Sequence, residues 1–72
     1  MNEVYHELQS HLASYLTHIA KVGEARTLQI MFLLKTAEQV LTIMEYIEKH
    51  KNNQLTEEHL LDVALVISEQ VK

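Results

Sequence analysis

The chain has 72 residues with ten carboxylates against six Lys and Arg, a formal charge of −4, and its cations are scattered rather than gathered. That excludes the basic face needed to bind nucleic acid or an anionic membrane. The absence of cysteine excludes disulfides, thiolate metal sites and cysteine nucleophiles, while 47% hydrophobic residues, one glycine and no proline describe a helical protein.

A chain near this length buries only about 60% of the surface its unfolded form exposes, so oligomerisation is the expected source of extra stability. No basic-then-apolar leader opens the sequence, and the longest wholly apolar run, 30–34, is too short for a membrane span. The cytoplasm is the expected location.

The first helix is expected over about residues 3–22. Asn2 suits its N-cap, and Glu3 places a carboxylate at the positive end of the helix dipole. Tyr5, Leu8, Leu12, Tyr15, Ile19 and Val22 step by three and four, the seam of a helix packed along another, and Val4 and Leu16 widen it. Gly23 then suits a left-handed helix end. Extending the first stripe would make Arg26 and Gln29 core, so the chain is expected to turn at 23–26.

The second helix is expected over about 25–50, roughly 40 Å of continuous helix on which the rest of the chain folds. Its core stripe is Ile30, Leu33, Ala37, Val40, Met44 and Ile47. Leu28, Met31 and Phe32 are apolar outside that stripe and need other cover. His50 and Lys51 suit the negative helix end, and Asn52 and Asn53 tolerate a left-handed cap. Thr56 is the expected N-cap of a third helix over about 57–70, with Leu55 placed to pack on Leu60. The stripe of that helix is Leu60, Ala64, Ile67 and Val71. Asp62 is the only polar residue within 60–67, so the segment requires burial on several sides.

These elements predict an all-α fold in one domain, 1–72: a helical hairpin plus a third helix in an antiparallel three-helix bundle, paired as a homodimer. The start of helix two should then meet the ends of helices one and three. Leu28, Met31, Phe32, Leu65 and Val66 would form an apolar interaction surface there.

Glu3 and His6 have the Glu-x-x-His spacing by which helical bundles present metal ligands. The pair occurs once, at a terminus, and neither a metal nor a cofactor is expected. His11 and His18, seven apart beside the seam, are expected to be partly buried and hydrogen-bonded. Protonating all five histidines would carry the formal charge from −4 to +1. No His-Glu-x-x-His, phosphate-binding glycine loop or nucleophile elbow occurs, so no enzyme is expected.

Residues 6–12, His6-Glu7-Leu8-Gln9-Ser10-His11-Leu12, resemble the phosphoacceptor box of sensor histidine kinases, which opens a dimerising hairpin. The resemblance implies a phosphotransfer or kinase-mimic role with His6 as the phosphorylated residue. Gln9 stands where that family usually has arginine and His11 where it usually has proline. Residues 54–60, Gln54-Leu55-Thr56-Glu57-Glu58-His59-Leu60, following a long middle helix, faintly resemble the last loop and helix of a histone fold. The function expected from the residues themselves is a non-catalytic interaction module, such as a regulator, anti-activator or small chaperone. It would use the apolar helix surface to meet itself or another helical protein, and a purely structural homodimer is the remaining alternative.

Overall fold

The computed structural model describes residues 3–53 and 55–70. The expectations for Asn2, Gln54 and Val71 lie outside the described residues. Among the described residues four α-helices are formed: α1 Glu3–Ser14, α2 Glu24–Leu33, α3 Ala37–His50 and α4 Glu57–Glu69. A π-helical segment, Tyr15–Ile19, continues α1. No strand occurs among the described residues, and no helix among them is long and apolar enough to cross a membrane.

The expected second helix is two helices. The break at 34–36 is built by a capping box: the Gln39 amide donates to Thr36 Oγ1 at 3.1 Å, and Gln39 Oε1 accepts the amides of Lys35 (2.6 Å) and Thr36 (3.3 Å). Apolar periodicity hides this break, because Leu33 and Ala37 are four apart and the stripe keeps its register across it. Two gains offset the helical bonds given up. Leu34 becomes fully buried, worth about 2 kcal/mol, and its freed carbonyl accepts the Tyr5 hydroxyl at 2.6 Å. The longest dimension of the fold is 35 Å, shorter than the roughly 40 Å an unbroken helix would need.

Hydrogen bonds at the two ends fix the directions. Tyr5 near the start of α1 meets Leu34 ahead of α3, and Tyr15 at the far end of α1 donates to Glu48 near the end of α3 at 3.3 Å. The helices α1 and α3 therefore run the same way. At the other end of the chain's path, α2 and α4 both begin beside Glu57, whose carboxylate accepts the Gly23 amide at 2.8 Å and lies 3.8 Å from the Arg26 guanidinium. The main packing pairs are α1 with α3 and α2 with α4, with α3 against α4 closing the set. The expected meeting of the start of helix two with the end of the last helix does not occur. The additional reversal at 34–36 brings the starts of α2 and α4 together instead.

Leu12, Leu16, Ile30, Leu34, Val40, Ile43, Ile47, Leu60 and Ala64 are fully buried, with Val22 and Ile67 nearly so. Most of the expected stripes are core or pack against it; Val4, expected to widen the first stripe, is 65% exposed, and Ile19 is 41% exposed. Its position follows from the π segment. The Ala20 amide donates to Tyr15 O at 3.1 Å, a five-residue step, which widens the turn and moves Ile19 outward while Leu16 turns in. The Thr17 hydroxyl, donating to Ala13 O at 2.8 Å, competes locally with the regular ladder.

The turn between α1 and α2 also differs from expectation. Lys21, not Gly23, takes the left-handed backbone, with φ 59°. Gly23 is extended (φ −68°, ψ 164°) and serves as the N-cap of α2, where a Cβ would come within 3.3 Å of the Glu57 carboxylate. Glycine is used there for close approach. At the end of α3, Lys51 is helical and neither Asn52 nor Asn53 has positive φ; the Asn53 amide returns to His50 O at 2.9 Å. Thr56 caps α4 as expected, accepting the His59 amide at 3.1 Å.

Two substitutions test these local devices by denaturant unfolding. Lys21→Gly should raise stability by about 0.5–1 kcal/mol, because it removes the Cβ penalty at a positive φ. Thr36→Ala should lower it by about 1 kcal/mol through loss of the cap. No change from either would contradict the geometry at both breaks.

Candidate functional site

The helices α3 and α4 pack against each other and leave an open groove of about 520 Å³ between them. Its floor is apolar: Tyr46 from α3 faces Val63, Val66 and Ile67 from α4. Polar side chains stand above it, Thr42, Glu45 and Lys49 on α3, and His59, Asp62 and Gln70 on α4. The spacing explains the arrangement. Thr42, Glu45 and Lys49 are three and four apart, as are Val63, Val66 and Gln70, so each set forms one ridge along its helix.

One end of the groove is held by an aromatic cluster. The Tyr46 hydroxyl shares a hydrogen bond with His59 Nε2 at 2.5 Å, its direction set by the imidazole tautomer. His50, one turn beyond Tyr46, packs its ring on the tyrosine with centroids 4.4 Å apart. The cap at Thr56 fixes the first turn of α4 and so delivers His59 to this position. Sequence spacing reveals the Tyr46 and His50 pair, since they are four apart on a helix; His59 comes from across a loop and carries no such signal.

The five residues expected to form one apolar surface lie on two helices that pack on each other, three on α2 and two on α4. Leu28 (53% exposed) and Phe32 (76%) lie one turn apart on the outer side of α2. Met31 is half-buried against the core. Leu65 (39%) and Val66 (54%) are successive in α4 and so diverge by about 100° around its axis, with Val66 lining the groove.

His6 is exposed beside Tyr5, with ring centroids 5.8 Å apart, while Leu8 is half-buried and Leu12 fully buried. Glu3 is exposed as well. Among the described residues no group of three or more His, Asp or Glu side chains is gathered to hold a metal ion. His11 and His18 are exposed rather than partly buried, and His18 Nδ1 donates locally to Ser14 O at 3.2 Å. Near the same end as the aromatic cluster, the Lys51 ammonium donates to Glu48 at 2.9 Å and holds that carboxyl below the usual range, with a smaller contribution from the Tyr15 hydroxyl. The same contact raises Lys51. Both groups are solvent-exposed, so the pair adds little stability; what it adds is present at neutral pH and lost as pH falls through the lowered Glu48 value.

Comparison with protein-family models, curated proteins and solved structures finds no match for this chain.

Removing the Tyr46 hydroxyl tests the cluster directly. Tyr46→Phe should cost about 1 kcal/mol in unfolding and change the tautomer balance of His59, read from its ring nitrogens by NMR. An unchanged His59 spectrum would mean that the two side chains do not meet in solution.

Proposed function

We propose that the protein is a non-catalytic helical interaction module that associates with itself through the outer face of α2. The observation that supports this reading is the exposure of Phe32, 76%, one turn from Leu28, 53%, on a helix whose inner residues Thr27 and Ile30 are buried. A phenylalanine left in water forgoes about 2 kcal/mol of burial, and a chain this small has little stability to spare. Pairing two copies of α2 covers both side chains in each partner at once, because a two-fold contact repeats the same patch.

The interaction residues of this reading are Leu28 and Phe32. Leu65 is on α4, which packs on α2, and extends the surface only where a partner reaches across that seam. Regulation by competition follows naturally from such a module, since a second helix with a matching apolar stripe displaces the self-pair.

Sedimentation equilibrium over a wide concentration range should show a dimer for the natural chain and a monomer for Phe32→Glu, with the helical circular dichroism of the two alike. Identical association behaviour in both chains would contradict the assignment to α2.

A further inference from the structure

We infer that the turn at 34–36 is a hinge whose opening lets two copies of the chain exchange halves, so that α1 and α2 of each pack on α3 and α4 of the other. This route to self-association is separate from the α2 face and does not need it.

The packing gives the first reason. Both main pairs, α1 with α3 and α2 with α4, join a helix before the turn to a helix after it. The polar ties cross it too: Tyr15 donates to Glu48, and the Glu57 carboxylate holds the Gly23 amide and faces Arg26. A chain opened at 34–36 keeps the contacts of α1 with α2 and of α3 with α4, and neither half closes a core alone. A second opened copy offers each half its missing complement, so the same pairs re-form between chains in a closed two-fold exchange. The two helices joined by the turn, α2 and α3, are not a main packed pair, so straightening parts little surface between them.

The sequence gives the second reason. Residues 24–50 hold neither glycine nor proline, and Ile30, Leu33, Ala37, Val40, Met44 and Ile47 keep one helical face across the turn. Of residues 33–38 only Thr36 is a poor helix former. Straightened, residues 24–50 make one helix of about 40 Å. Leu34, buried in the closed chain, then falls four residues after Ile30 and stays beside the stripe.

What holds the closed form is local. It consists of the Thr36 and Gln39 capping box and the Tyr5 hydroxyl on the Leu34 carbonyl at 2.6 Å. The box also buries Gln39 Nε2 with no partner among the described residues. Opening releases that amide, while the backbone groups at the turn take up helical bonds. Caps favouring the turn therefore oppose a periodicity favouring continuous helix, within three residues, and the occupant that satisfies an opened chain is a second copy of itself.

The test compares the natural chain with Phe32→Glu, Thr36→Ala and Ala37→Pro. Thr36→Ala removes the cap that holds the turn. Ala37→Pro acts in the opposite sense: Ala37 is the first residue of α3 and Thr36 before it is extended (φ −129°, ψ 158°), a setting that accepts proline. A continuous helix would instead lose the Ala37 amide bond and meet a clash with the Leu33 carbonyl. Each chain is warmed at high concentration, then diluted and separated by size exclusion. An exchanged dimer must unfold to come apart and so survives dilution, whereas a surface pair re-equilibrates by mass action. A persistent dimer should form from the natural and Phe32→Glu chains, at least about fivefold more from Thr36→Ala, as loss of one cap implies. None should form from Ala37→Pro, with helical circular dichroism matching the natural monomer. In dimers refolded from mixed labelled and unlabelled chains, isotope-filtered NMR should place Tyr15 of one copy against Glu48 of the other, with helical carbon shifts through 34–36.

Absence of a persistent dimer from the natural and Thr36→Ala chains alike would overturn the hinge, as would an equal yield from Ala37→Pro or Tyr15 contacts confined to one chain. If Phe32→Glu abolishes reversible association and no chain gives a persistent dimer, the hinge fails and the α2 reading stands. If persistent dimers form as expected while Phe32→Glu leaves reversible association unchanged, the hinge stands and the α2 reading fails.

Discussion

The capping box at Thr36 and Gln39 is the interaction on which the rest of the architecture depends. Residues 24–50 carry an apolar stripe that one continuous helix satisfies, and neither glycine nor proline interrupts it. What stops the helix is a reciprocal set of side-chain to backbone bonds, together with burial of Leu34 and capture of its carbonyl by Tyr5. Once the chain reverses there, α3 runs beside α1 and α4 runs beside α2. The Gln39 side chain sits at the centre of this device: its oxygen accepts two amides while its buried nitrogen has no partner within the described residues.

A second tie works at the opposite end. Glu57 is the first residue of α4, and its carboxylate reaches the start of α2 to accept the Gly23 amide, where a negative charge also suits the dipole of α2. Thr56 meanwhile caps α4 itself. One short stretch thus starts a helix and anchors it to another, which leaves the outer faces of α2 and of the α3–α4 pair free of structural duties. Those faces differ in kind. The α2 face is apolar with Leu28 and Phe32; the α3–α4 groove has an apolar floor with carboxylates and a cation together at its edge, Glu45, Asp62 and Lys49.

Much of the fold was legible in the sequence. All-helical content, the helix at Glu57–Glu69 with its Thr56 cap, and most core positions follow from three-and-four spacing. The break at 34–36 was written as Thr-x-x-Gln, a capping signature, but an uninterrupted stripe outweighed it. The π segment left no such mark: the outward turn of Ile19 depends on a one-residue change in helical step that periodicity assumes away. Lys21 holds the left-handed position that glycine would hold most cheaply, while Gly23 is extended two residues later beside the Glu57 carboxylate. The candidate surface suffered most. Leu28 and Phe32 were identifiable as apolar outliers, whereas the groove needs α3 and α4 side by side, and His59 reaches Tyr46 only through a loop closure that no local pattern encodes.

NMR reads the reversal at 34–36 directly. Carbon secondary shifts should lose helical character at 34–36, the Ala37 to Gln39 amides should behave as the first turn of a new helix, and the Tyr5 ring should show contacts to Leu34. Unbroken helical shifts from Glu24 to His50, with no contact between Tyr5 and Leu34, would instead mean a single long helix.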